Sequence, residues 1–304
     1  MNKKIKIYTA PMAGITDQPF RRMLRKFSSA PIFTEMIGVE TLVHCHPKTL
    51  KMIQIQDEKE IVVQLVGANP ASFAKAAKIV EDMGACGIDI NMGCPVRKLI
   101  QNHSGAELMR HPDLAGCLVE AVKANTSLPV SVKTRLGWSD KDELLPFAKV
   151  IENAGADQLA VHARTKEMGF AGTADWASVA QVSENLKIPV IINGDIVDRE
   201  SAKKALKDSQ ASAVMVGRAL LGQPWQLASI ESGKKIIFCL KDIVLEHFEN
   251  ILSYYGHVGV FIARKHLAWY ARNKKNVAAW REKMYLEKDE GILRQMIVDF
   301  FDED

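Results

Sequence analysis

"IVVQLVGANPASFAKAAKIVEDMGACGIDIN", residues 61 to 91, holds a short apolar run, a longer stretch with another rhythm, and a second short apolar run. The two runs, Ile61 to Val66 and Gly87 to Asn91, have strand length and are rich in β-branched residues. Between them Phe73, Ala76, Ile79, Val80 and Met83 recur at the spacing that gathers side chains on one face of a helix. Asn69 followed by Pro70 supplies an N-cap and a proline at the first helical position, and Gly84 sits just past the end, where a left-handed cap is easy. A strand, a helix and a strand in this order read as two parallel strands joined by a right-handed crossover.

The pattern repeats in both directions. Further strand candidates are residues 5–10, 31–36, 129–134, 158–162, 189–193 and 213–217, which with the first pair makes eight. Helical spacing fills the gaps at His111 to Asn125, Lys141 to Ala154, Trp176 to Leu186 and Asp198 to Asp208. Eight such units close a (β/α)8 TIM barrel. An open doubly wound sheet is the competing architecture, but no G-x-G-x-x-G follows the first strand. From residue 235 the strand signal ends. Helical stretches at Ile236 to Tyr255, Val260 to Asn273 and Ala278 to Leu286 predict a small all-helical domain over 235–304, joined to a barrel domain over 1–234 by a short Ser232-Gly233-Lys234 hinge. The predicted class is α/β, a TIM barrel with a C-terminal helical domain.

With 304 residues, 47% of them hydrophobic and 25% charged, the chain can bury a large core, so disorder is not the default. No apolar run approaches the roughly 20 residues that span a bilayer, and Met-Asn-Lys-Lys-Ile-Lys lacks the features of a secretory signal, so a cytoplasmic protein without membrane association is expected. Five cysteines without a C-x-x-C pair argue against disulfides and structural zinc, and no metal is expected. Cys86, Cys117 and Cys239 read as small apolar residues on strand or helix faces. Cys45, between His44 and His46, cannot bring all its neighbours to one point of a helix. A net charge of +4 permits a polyanionic partner without demanding one.

Barrel active sites form where eight loops converge at the C-terminal strand ends. Those ends carry Pro11-Met12-Ala13-Gly14, Gln64, Asn91 with Cys94, Lys133 with Arg135, His162 with Arg164, Asn193-Gly194-Asp195, and Gly217-Arg218. Singly, each has a structural explanation. Together, polar groups facing an apolar barrel mouth imply a ligand that partners them. Gly194 and Gly217 bare the backbone where barrels commonly hold a phosphate, with Arg218 as a nearby cation.

"APMAGITDQPFRRM", "DINMGCPVRK", "VKTRLGW", "VHARTKEMGFAGTADW", "NGDI" and "VGRALLGQPW" stand in the order and spacing of the tRNA-dihydrouridine synthases, and the chain most resembles their bacterial B-type branch. The likeness runs from about residue 8 to 228 and resumes in "ARKHLAWYARN", residues 263 to 273. It implies a monomeric, FMN-dependent enzyme that uses NADPH (or NADH) to reduce uridines of tRNA, at a D-loop position by likeness to the B-type branch. It also implies roles: Pro11, Met12 and Ala13 against the flavin ring; Gln64, Lys133 and His162 at its polar edge or ribityl chain; Asn193, Gly194, Asp195, Gly217 and Arg218 at the phosphate; Asn91, Arg135 and Arg164 toward the substrate; Cys94 as the acid. Ala163 and Lys166 depart from the glycine and arginine that relatives carry there.

Reducing the uracil 5,6 bond needs a hydride at C6 and a proton at C5, so two donors must flank one ring. A cysteine in the turn after the fourth strand, between Gly93 and Pro95, is placed for the second donation. Arg97 and Lys98 would favour a thiolate if they faced it. The run "RKHLAWYARNKKNVAAWREK", residues 264 to 283, carries seven Lys or Arg against one Glu, with Trp269, Tyr270 and Trp280 interleaved. Cations for phosphates and rings for bases predict a tRNA surface there, led by Arg264 and Lys265, with the acidic residues 299–304 lying away from it. The rival readings are a free-pyrimidine oxidoreductase of the dihydroorotate dehydrogenase kind, a lyase using Lys133 as a Schiff base, and a non-catalytic RNA-binding protein.

Overall fold

A computed structural model describes residues 4–302 of the chain. Its strands are β1 (Ile7–Thr9), β2 (Ile32–Gly38), β3 (Ile61–Val66), β4 (Gly87–Asn91), β5 (Val130–Arg135), β6 (Gln158–His162), β7 (Val190–Asn193) and β8 (Ala213–Val216). They form one eight-stranded parallel sheet in the order β1-β8-β7-β6-β5-β4-β3-β2. The remaining seam, between β1 and β2, lacks a ladder and is stitched by Thr9. Its N–H donates to Pro31 O at 3.3 Å and its Oγ1 accepts from Phe33 N at 2.9 Å. The sheet is a nearly closed (β/α)8 barrel.

Alternation along the strands decides what faces inward. Ile88 and Ile90, Val130 and Val132, Leu159 and Val161, and Val190 and Ile192 point outward and are buried under the helices. Their alternates fill the barrel, with Tyr8, Phe33, Val62, Ala160, Ile191, Ala213 and Met215 in one buried cluster. Helix Pro70–Asp82 shows why the outer layer forms: Asn69 Oδ1 accepts from Ala71 N and Ser72 N, Phe73, Ala76, Ala77 and Val80 are buried, and Gly84 follows at φ +84°.

The C-terminal region consists of helices Leu240–Tyr255, Gly259–Tyr270, Val277–Leu286 and Glu290–Phe301 around their own core of Phe248, Leu267, Met284, Leu293 and Ile297. Three details differ from the sequence expectation. The first of these helices begins at Leu240 rather than Ile236, leaving Ile237 92% exposed. The last was not anticipated. The expected hinge is a fixed joint: helix Gln226–Ser232 ends on Gly233 at φ +73°, and Arg199 Nη1 donates to the carbonyls of Ile230 and Glu231. Helix Gln18–Phe27 serves both cores, with Phe20 and Leu24 in the barrel cluster and Met23 and Phe27 in the helical one.

All five cysteines are free thiols, but the expectation that three are small core residues fails. Cys117, on helix Pro112–Lys123, and Cys239, in the loop before Leu240, are exposed, and of the three only Cys86 is half-buried, its thiol pushed up to about 11 by burial. No helix among the described residues is long and apolar enough to cross a membrane.

Candidate active site

A cleft of about 970 Å³ opens at the C-terminal ends of the strands. Pro11, Met12, Ala13, Gln64, Asn91, Cys94, Lys133, Arg135, His162, Asn193, Gly194, Asp195, Gly217 and Arg218 all line it. Parallel register gathers them, since Asn91 pairs with Lys133, Arg135 with His162, and His162 with Asn193 across neighbouring strands.

The wall that carries Cys94 is built on a buried chain of hydrogen bonds. Asp89, fully buried on β4, accepts from Ser131 Oγ at 2.6 Å and from Gln64 Nε2 at 2.7 Å. Gln64 Oε1 accepts from Asn91 Nδ2 at 2.9 Å, and Asn91 Oδ1 accepts from the N–H groups of Gly93 and Cys94 at 3.2 and 2.9 Å. Asn91 therefore shapes the cysteine turn. Behind it, Cys94 O accepts from Ala106 N at 3.0 Å. Gly105, at φ +64°, is required there because a Cβ would lie 2.7 Å from that carbonyl oxygen. Burial pushes the Asp89 carboxyl up to about 7, against its hydrogen bonds and the nearby Lys133 charge.

The adjoining wall, built on β5 and β6, is cationic. The Lys133 amine makes no hydrogen bond or ion pair with any described residue, and burial with the neighbouring Arg135 charge lowers it to about 8. Burial and the charges of Lys133, Arg135, Arg164 and Arg218 drive His162 down to about 2, so its ring is neutral. Arg164 Nη1 can only donate to His162 Nε2, at 3.4 Å, which leaves the ring proton on Nδ1. Asp195, held at φ +52°, accepts from Arg164 Nη2 at 2.6 Å and from Arg218 Nη2 at 2.9 Å. Partial burial opposes ionisation, yet these cations hold its carboxylate below the usual range. Asp195 thus fixes Arg218 at the cleft edge.

Three expected substrate residues sit elsewhere. Arg164 is buried beside the cleft without lining it, its guanidinium bonded to Ala171 O, Gly172 O and Asp195. Arg264 Nη2 donates to Glu287 O at 2.7 Å, and Lys265 Nζ donates to Gly14 O, so both are tied to the protein. Arg135 does line the cleft while its Nε donates to Gly93 O and its Nη1 to Thr165 O and Gly169 O, which joins the loops after β4 and β6.

The aromatic residues divide in the same way. Tyr270 and Trp280 are buried; Trp280 stacks on Phe300 at 4.4 Å in the helical core. Trp269, half-buried, lines a groove of about 630 Å³ with Arg272, Lys274, Lys275 and Asn276, and Tyr270 borders it as well. Asp299 also lines this groove, so the acidic tail does not lie wholly apart from the basic run; residues 303 and 304 lie outside the described residues. Gln223 and Arg272 line groove and cleft alike, so the two adjoin. The sequence reading missed Asp89, one layer deeper than Asn91, although an aspartate inside the run Gly87 to Asn91 was its signal. It also missed Phe170, 62% exposed at the rim with the Arg218 and Arg135 guanidinium groups 5.1 and 5.8 Å from its ring centre.

Among solved structures, the barrel is similar to 2-naphthoyl-CoA reductase (TM-score 0.60, 11% identity, covering 78% of this chain and 51% of that one) and to histamine dehydrogenase from Rhizobium sp. 4-9 (TM-score 0.58, 15% identity, 81% and 49%). At that identity they share its fold. Sequence relatives are closer. A probable tRNA-dihydrouridine synthase of Rickettsia bellii is 40% identical over 97% of this chain and 94% of its own length. One of Rhodobacter capsulatus is 44% identical over 87% and 86%. The tRNA-dihydrouridine synthase B of Pasteurella multocida is 39% identical over 88% and 84%. The family model for dihydrouridine synthase (Dus) matches residues 8–302, and the chain belongs to that family.

Proposed function

We propose that this enzyme reduces uridines of cytoplasmic tRNA to 5,6-dihydrouridine, with FMN as resident cofactor and NADPH or NADH as reductant. The observation that carries the reading is that Cys94 lines the same cleft as Lys133, His162 and Arg218, in a member of the dihydrouridine synthase family. The residues fit the cofactor. The cleft has the volume of a ligand site, and the Lys133 amine lacks an acceptor among the described residues. A Cβ at Gly194 would sit 3.0 Å from the His162 ring and one at Gly217 3.2 Å from Ala10 Cβ, so the backbone there stays bare beside Arg218. Pro11, Met12 and Ala13 would lie against the flavin ring; Gln64, Lys133 and His162 would meet its polar edge; Asn193, Gly194, Gly217 and Arg218, with Asp195 bracing the arginine, would hold the phosphate.

When bound and reduced, FMN supplies the hydride that uracil C6 accepts. Cys94 gives its thiol proton to C5 and recovers one from solvent, so one NADPH and one proton are consumed for each uridine. Asn91, Gln64 and Asp89 hold the thiol at its station, and neutral His162 donates a hydrogen bond without adding charge.

The helical residues 235–304 form the RNA half of the division, with residues 1–234 as the cofactor half. Arg272, Lys274 and Lys275 meet phosphates along the groove, Trp269 offers a ring, and the target base leaves its stack to enter the cleft past Phe170. The reading needs residues of one chain only, and the enzyme is taken to act as a monomer. The groove separates the reading from a free-pyrimidine oxidoreductase. Anaerobic NADPH oxidation with transcribed tRNA, against free uridine and dihydroorotate, tests it. Turnover with dihydrouridine appearing in tRNA alone is expected; turnover on the free pyrimidines alone would contradict it.

A further inference from the structure

Behind the cysteine turn lies a second cluster that the proposed reaction does not use. His103, Glu107 and His111 are spaced four apart, and one ligand atom from each lies within 4.8 Å of the others. Glu107 sits in the 3-10 turn Gly105–Arg110, and His111 precedes helix Pro112–Lys123 without capping it through its side chain. The imidazoles meet edge to face with ring centres 5.8 Å apart, and His111 Nε2 is 3.5 Å from Glu107 Oε1. None of the three lines the cleft.

Glu107 shows that the cluster is more than a surface ion pair. Its side chain is 9% exposed, and its buried Oε2 has no hydrogen-bond partner among the described residues. Arg110 reaches only Oε1, at 3.3 Å, from a side chain 57% exposed, and its guanidinium also lies 5.0 Å from the Trp138 ring centre. A buried carboxylate oxygen without a partner is costly, and a cation bound to the same carboxylate would offset that cost. We infer that His103, Glu107 and His111 form a binding site for a divalent transition metal of the zinc, cobalt or nickel kind. Two imidazoles and one carboxylate suit such ions better than magnesium or calcium, which prefer oxygen. Metal–ligand bonds of about 2.1 Å bring ligand atoms to roughly 3.4 Å from one another, so an exposed imidazole needs to swing by about 1 Å. Water would complete the coordination.

The site's place gives it a structural role. His103 and Glu107 flank Gly105 and Ala106, whose backbone packs on and hydrogen-bonds the Cys94 carbonyl. A metal joining them to His111 would clamp the segment 103–111 to the start of the following helix and so brace the Cys94 turn from behind.

The test needs no substrate and stands apart from the proposed reaction. Full-length protein without a polyhistidine tag, stripped with chelator, is titrated with Co2+ and followed by its visible absorbance. One equivalent is expected to bind and to raise the thermal midpoint reversibly. Affinity should fall at least about tenfold in Glu107→Gln, and likewise in His103→Gln and His111→Gln, whose exposed side chains leave the metal-free midpoint unchanged. A His44→Gln, His46→Gln double variant should bind as the parent does. Absence of stoichiometric binding, or equal affinity in the His103 and His111 variants, would overturn the site.

Discussion

The barrel mouth and the C-terminal helices both bury histidines and aromatic rings, and they put them to opposite uses. In the mouth, His162 and Lys133 face a cleft, and the Lys133 amine makes no hydrogen bond or ion pair with any described residue. In the helices, His247 and His266 pack on one another with ring centres 4.6 Å apart and on Phe20 at 5.8 and 5.7 Å, with Tyr270 Oη 3.0 Å from His247 Nδ1. Burial drives both helical histidines well below their ordinary range. They are core residues. A polar side chain is informative about function when its local geometry aims it at a void, and a strand end in a barrel does so where a helix does not.

The largest effect that sharpens this contrast is on stability. Trp280→Ala removes a ring stacked in the helical core, and should cost about 3–5 kcal/mol in denaturant unfolding. A loss confined to tRNA binding would return Trp280 to the RNA surface. Next in size, Lys133→Met should weaken FMN binding by about tenfold at neutral pH. In the parent, affinity should decline as pH rises through about 8, where Lys133 loses its charge, and the variant should lack that decline in a fluorescence titration. Smaller again, Arg272→Ala with Lys275→Ala should lower tRNA affinity about tenfold and flatten its dependence on log salt by about 2, while Arg264→Ala leaves that slope as it was.

The smallest is a pH effect on folding. Asp89 has its folded pKa raised to about 7 from an unfolded value near 4, so the folded state holds the proton more tightly. Its contribution is complete below about pH 4 and fades as pH rises through 7. Asp17, raised to about 6 chiefly by burial, acts in the same direction. The thermal midpoint of Asp89→Asn should therefore change less between pH 5 and 8 than that of the parent; an equal change would place the proton elsewhere.

What the sequence made legible follows from the same contrast. All eight strands were readable because their β-branched runs are bounded by turns, and polar residues interrupting or closing those runs then marked Gln64, Asn91, Lys133, His162 and Asn193 at the C-terminal ends. Asp89 was overlooked because its partners, Gln64 and Ser131, are distant in sequence and meet only in the barrel. In the helices, a run of cations and rings winds around every side. Nothing local told Trp269, half-buried along the groove, from Tyr270 beside it, which borders the same groove but is buried in the helical core. Arg264 and Lys265 were consumed by carbonyls of Glu287 and Gly14 far away in the chain.

Cys94 sharing one cleft with a reduced flavin is the central claim. Its most direct measurement is the rate at which tRNA reoxidises the enzyme's NADPH-reduced flavin without oxygen, in the parent and in Cys94→Ala. A yellow protein is expected in both, with the variant slower by at least about a hundredfold, as for loss of a general acid. A colourless protein that refuses FMN, or a variant reoxidised at the parent's rate, would contradict it.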